Sequence, residues 1–372
     1  MRTALPLIVA AMALGCSSAS AAQTTIPERY ADTTFWRLSQ ELSEPNGYFR
    51  SDNLVSNETS FQWVVPSLAK MTRANGVYLG VAPEQNFTFI AALKPAVAFI
   101  VDIRRGNLLE HLMYKALFEI SDNRVDFAFR LFGRRPLDGM PAATGIGEVM
   151  DTLSTAPPDT AYARTVLDGI IRRLTKFHGF PLSAEDTEYI GYVYESFVRA
   201  GPRLRYNMGS GRAGSPYGRM NMPDFATLMT ETDSLGVRRS FLASDEAYGT
   251  IREMQLRNVI IPFTGDFAGS RTLRALGGYV RDHDAVIQAI YVSNVEQYLF
   301  QEPDGWRKYY DNVATLPVDS ATVFIRSASQ GYNRRQSTNS RQNELLCPVK
   351  THMDAYAAGK IRSYWDVFEY CR

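Results

Sequence analysis

The sequence predicts an α/β protein built on a doubly wound, mainly parallel sheet, with a helical insertion. Three observations carry this. Short apolar runs rich in Val, Ile, Phe and Tyr alternate with capped helical patterns. The runs are nearly continuous rather than alternating, as suits parallel strands buried on both faces. The first of them opens a strand, turn, helix, strand, helix unit over Gly76 to Ile120.

That opening unit can be justified residue by residue. Val77 to Ala82 is an apolar run that stops at Pro83-Glu84-Gln85-Asn86. A crossover of about ten residues follows, near the minimum for a parallel connection. Asn86 or Thr88 is placed to cap its helix, and Pro95 ends it. A second run, Val97 to Ile103, contains Asp102 and leads to Arg104 and Arg105. The next helix has apolar positions at Leu108, Leu109, Leu112, Met113, Ala116, Leu117 and Ile120. Its pattern puts Glu110, His111, Lys115 and Glu119 on an outer face.

The remaining elements follow in order. Residues 22–75 read as helices and turns, with an apolar stripe at Phe35, Trp36, Leu38 and Leu42. Ser56-Asn57-Glu58-Thr59 reads as helix caps, with a cover over the ligand site as the alternative. Asp122 to Phe132 continues the helical pattern, and residues of about 136–222 form a helical insertion. Within it, Ser183 with Asp186 makes a capping box and Gly201-Pro202 a stop. Gly201 to Pro223 is glycine-rich and basic. It reads as a mobile surface loop, with an anion grip as the alternative. Ser240 to Ala243 reads as a short strand, and Ser244 opens a helix. Val259 to Phe263, Val286 to Val292 and Thr322 to Ile325 are the later strands of the sheet, and Ser270 is placed to cap the helix between the first two. Asn333 to Asn343 reads as a loop, inside an α/β domain of 76–335 followed by a C-terminal extension of 336–372.

Composition bounds the function. The 372 residues carry a net charge of +1, which argues against a broad nucleic-acid surface. Arg2, the apolar run Leu5 to Leu14 and Ala19-Ser20-Ala21 read as an export signal over residues 1–21. Leu14-Gly15-Cys16 also fits a loose lipobox, so a lipid on Cys16 is the alternative to soluble secretion and the one predicted membrane contact. Export places Cys347 and Cys371 in an oxidising compartment, and an even pair there predicts a disulfide. The four histidines, at 111, 178, 283 and 352, are too scattered to suggest a metal site, and no serine-nucleophile elbow is present.

Ligands of such sheets bind at the carboxyl ends of the strands. Glu84, Asn86, Asp102, Arg104, Asp266, Ser293 and Asn294 all fall there and are expected to converge on one cleft that takes a small molecule. For each one singly, turn or cap duty is the competing reading.

Over roughly Ser56 to Ser327 the order of elements resembles the class I S-adenosylmethionine-dependent methyltransferases, with their Rossmann-like fold. The resemblance implies that Asp102 binds the ribose hydroxyls of S-adenosylmethionine, that Asp266 contacts the adenine, and that Ser293-Asn294 faces the substrate. The first turn departs from the pattern. Tyr78-Leu79-Gly80-Val81-Ala82-Pro83-Glu84 keeps one glycine of three, and Ala82 and Pro83 bring side chains where backbone should approach the cofactor. S-adenosylmethionine is also a cytoplasmic cofactor, at odds with export. Either the cofactor site is altered or the protein works without it. The phrases PEQNF, VDIRR and SNVEQYL further resemble an uncharacterised family of exported bacterial proteins and lipoproteins. Three readings follow: a diverged envelope protein that binds a small ligand, an active methyltransferase, or a structural envelope protein with a vestigial cleft.

Overall fold

The computed structural model describes residues 24–137, 139–206, 222–329 and 342–371. The predicted export signal with Cys16, most of the glycine-rich basic stretch and most of the predicted loop at Asn333 to Asn343 lie outside the described residues.

The chain opens with helix α1 (Asp32–Leu42), an irregular segment, and the short α2 (Val65–Leu68). Then come β1 (Gly76–Val81), α3 (Gln85–Leu93), β2 (Val97–Asp102) and α4 (Arg105–Ile120). α5 (Arg124–Leu131) is separated from α4 by a break at Ser121, so the predicted continuation is a new helix capped by Asn123. The insertion holds α6 (Ile146–Thr155), α7 (Thr160–Arg172) and α8 (Ala184–Ala200). The capping box of Ser183 and Asp186 is formed. α9 (Phe225–Thr230) and α10 (Asp245–Leu256) lead to β3 (Ile260–Thr264), α11 (Thr272–Asp282) and β4 (Val286–Ser293). α12 (Val295–Leu299), α13 (Gly305–Val313), β5 (Val318–Ser329), β6 (Gln342–Pro348) and α14 (Val349–Ala357) complete the order. Among the described residues, no helix is long and apolar enough to cross a membrane.

The strands form one sheet in the order β3-β2-β1-β4-β5-β6, doubly wound about β1. All pairings are parallel except β5 with β6. The central strands β1 and β2 are buried at every position, as their unbroken apolar runs require. Pro262 sits inside β3, which places that strand at an edge, where a missing N–H costs no ladder bond. α1 guards that edge: the Ser39 hydroxyl donates to the Pro262 carbonyl at 2.7 Å.

Several expectations are corrected. Ser240 to Ala243 is a turn, because the Ser240 hydroxyl and the Phe241 amide bond Met229 and Thr88 rather than a neighbouring strand. The 336–372 segment is no separate extension: β6 adds an antiparallel edge to the sheet, with Phe324 opposite Cys347. Ser270 does not cap α11. The Glu44 carboxylate, from a distant turn, accepts from the Arg271 and Thr272 amides instead. The outer face of α4 is buried, including Glu110, His111, Lys115 and Glu119. The insertion and α10 pack over it, so helical periodicity identified one core face where there are two. Cys347 and Cys371 form the predicted disulfide, with Cα atoms 4.1 Å apart.

Candidate functional site

A cleft of about 320 Å³ opens at the carboxyl ends of β1, β2, β3 and β4. Its floor is the turn after β1. Its roof is the irregular segment between α1 and α2, and one wall is the start of α12. Of the seven predicted residues, Asp102, Asp266, Ser293 and Asn294 line it; Glu84, Asn86 and Arg104 stand behind the lining.

The three that stand behind hold the cleft together. Asn86 does not cap α3. Its amide donates to the carbonyls of Val81, Ala82 and Pro83 at 2.8, 3.0 and 2.7 Å, and its carbonyl accepts from the Tyr78 hydroxyl at 2.7 Å. One buried side chain thus fixes the whole β1 turn. Gly80 is required beneath it, since a Cβ there would lie 2.0 Å from Asn86 Oδ1. Ala82 takes a φ of 66°, the left-handed region that glycine favours. Glu84 is fully buried, and both its oxygens accept from the Ser56 amide at 3.2 Å, tying the roof to α3. Burial pushes its carboxyl up to about 7, against the Ser56 bond and with help from Glu58.

Arg104 spends its guanidinium on Asp102. Asp102 Oδ1 accepts from the Arg104 amide and Nε, both at 2.9 Å, and Oδ2 accepts from Nη2 at 2.8 Å. Arg104 Nη1 then reaches the Ser51 and Asp52 carbonyls of the roof. Both side chains are buried, and the pair is bidentate. Asp102 therefore faces the cleft with its charge balanced and both oxygens engaged. Asp266 lies across from it after β3, with one oxygen accepting from the Ala268 amide at 2.8 Å.

S-adenosylmethionine, the cofactor implied by the resemblance, does not fit this arrangement. The acid that should accept from the ribose hydroxyls is paired with Arg104, and the Ala82 and Pro83 side chains occupy the floor.

The centre of the site is a residue that the sequence reading assigned to helix caps. Glu58 is 1% exposed and lines the cleft. It accepts from the Tyr291 hydroxyl at 2.8 Å, from Gln85 Nε2 at 2.5 Å and from the Ser293 hydroxyl. Ser293 holds a φ of 51° at the end of β4, which turns its hydroxyl onto that carboxylate. Glu344, on β6, completes the group. Its Oε1 accepts from the Ser327 hydroxyl at 2.8 Å. Burial, and next the charge and hydrogen bond of Glu58, push the Glu344 carboxyl well above the usual range. Ser56, Asn57 and Glu58 thus line the cleft. The signal for them was the polar stretch itself; Tyr291 and Glu344 carried none, one lying inside an apolar run and the other in a polar one.

The polar lining is rich in acceptors. Asn53 lines the roof, and its Oδ1 is buried with no partner among the described residues. Rings supply the rest of the wall, among them Phe49, Tyr206, Phe267 and Tyr298. Among the described residues, no group of three or more His, Cys, Asp or Glu side chains is arranged to hold a metal ion.

No curated protein matches the chain. The family described as Domain of unknown function (DUF7790) matches residues 53–135 and 221–356, together more than half of the sequence. The two matched segments contain β1 to β6, Asn53, Glu58 and every predicted site residue, and the unmatched stretch between them covers α6, α7 and α8. The chain belongs to the DUF7790 family.

Proposed function

We propose that the protein is an exported, small-molecule-binding member of this family. In this reading it has a methyltransferase-like architecture, and its cleft takes a ligand other than S-adenosylmethionine. The observation that carries the reading is the pairing of Asp102 with Arg104 beside a cleft that is otherwise intact. Evolution toward an empty, vestigial site would leave no reason for a roof tied down by Glu84 and Arg104 over a ring-lined cavity. A volume of about 320 Å³ falls in the range of small-ligand pockets. The Cys347–Cys371 disulfide supports an oxidising compartment, and with it export.

The competing methyltransferase reading draws on Asp266, whose carboxylate lines the cleft after β3 where an adenine contact is expected. Calorimetry separates the two. Neither S-adenosylmethionine nor its demethylated product is expected to give binding heat, and micromolar binding of either would restore the methyltransferase. A metabolite screen by thermal shift is expected to find compounds that raise Tm by a few degrees, as mass action on the folded state requires. A screen in which nothing shifts Tm would favour a structural protein.

A further inference from the structure

We propose that the ligand of this cleft bears a protonated primary or secondary amine, seated between Asn53 and Glu58. The inference rests on the ligand-binding reading above and specifies its chemistry. Two independent observations carry it.

The first is an orphaned acceptor. Asn53 is 9% exposed and lines the cleft, and its Oδ1 is buried without a donor among the described residues. A buried carbonyl oxygen is costly unless something donates to it. The missing group is therefore a donor, which a ligand beside Asn53 can bring.

The second is the charge balance of the lining. Four carboxyl groups reach the cleft: Glu58, Asp102, Asp266 and Glu302. Asp102 is balanced by Arg104. The cation among the described lining residues is Arg50, whose guanidinium lies 5.3 Å from the Tyr298 ring centre. Glu58 accepts from three donors, Tyr291, Ser293 and Gln85, and every one is neutral. They solvate its charge without cancelling it. A buried carboxylate of this kind favours a cation that reaches it from the cleft.

An ammonium group meets both demands. It brings positive charge to Glu58 and N–H donors to Asn53, where a quaternary ammonium would bring charge alone. The ring faces of Phe49, Phe267 and Tyr291 suit the apolar body of such a ligand and attract its charged end.

The test compares three probes of one shape and different charge at pH 7 and 150 mM salt. These are phenethylamine (cation), 2-phenylethanol (neutral) and phenylacetate (anion), measured by calorimetry or saturation-transfer NMR on the full chain. Phenethylamine is expected to bind at least about tenfold more tightly than 2-phenylethanol, and phenylacetate more weakly than both. Glu58→Gln is expected to bring phenethylamine down to the level of the alcohol, with circular dichroism checking that the variant folds. If that variant does not fold, the ranking on the wild-type protein still decides. Equal or tighter binding of the alcohol or the anion would overturn the ammonium assignment and leave the ligand-binding reading in place. Absence of phenethylamine binding would also overturn it, and only the metabolite screen then bears on the broader reading.

Discussion

Both oxygens of Glu84 lie 3.2 Å from the Ser56 amide, and solvent reaches neither. Its carboxyl is raised to about 7 by burial. A group whose folded value is raised binds its proton more tightly in the folded state. Its stabilising contribution is therefore full below about 4.5 and is lost as pH rises through about 7. His111, lowered by burial to about 4, acts with the opposite sign over part of that window, so the wild-type profile alone hides both. Comparison with Glu84→Gln isolates the first. The variant is expected to match wild type within about 1 kcal/mol at pH 5 and to exceed it by about 2–3 kcal/mol at pH 8, read by urea unfolding at each pH. At this scale the sequence reveals position better than role. Asp102 is legible as an acid at a strand end, but its capture by Arg104 depends on a side-chain geometry that no spacing encodes. Glu58 is harder still, because the groups that make it a site come from β4 and β6, far along the chain.

At the scale of elements, the parallel strands are the legible part. Burial on both faces writes them as unbroken apolar runs, and the predicted limits of β1 to β4 fall within a residue of those found. β6 is written differently. Its Gln342-Asn343-Glu344 start is polar, as an edge strand permits, and reads as loop. α4 is misread for a related reason: charged residues on a helix normally mark solvent, whereas here Lys115 and Glu119 are buried in ion pairs. The disulfide acts on the same edge. It links β6 to the end of the chain over a sequence separation of 24. Chain-entropy reasoning gives it roughly 3 kcal/mol. The double substitution Cys347→Ser with Cys371→Ser is expected to lower stability by about that amount, as measured in urea, and to match the reduced wild type.

Across the whole molecule, one buried carboxylate gathers the insertion, α4 and α1. Glu119 on α4 lies 2.7 Å from Lys115 Nζ, 2.6 Å from Arg173 Nε and 2.6 Å from His178 Nε2. His178 Nδ1 in turn meets Asp32 of α1 at 2.7 Å. Burial opposes the Glu119 charge, but the bonds from His178 and Lys115 prevail and hold the carboxyl down at about 2. Glu119→Gln leaves Lys115 buried beside two carbonyl acceptors without its carboxylate partner. It is expected to cost about 3–5 kcal/mol, with hydrogen exchange rising first in α7 and α8. Exchange confined to other helices would show that the clamp lies elsewhere. None of this was legible beforehand, because a helical insertion announces its helices but not the surface it covers.

The doubly wound order has a consequence for how the chain assembles. β1 pairs with β2 almost at once, but its other neighbour is β4, with Val77 beside Ile287, roughly 200 residues later. A chain that emerges amino end first therefore carries an open, wholly apolar β1 edge while the entire insertion passes. Such contacts of long sequence separation slow the search for the native state, and an uncovered edge invites pairing with other chains. The site shares that delay, since Glu58 finds Tyr291 only when β4 docks and Glu344 only when β6 closes the sheet. The cleft is thus complete only after β4 has docked, late in the order in which the chain emerges.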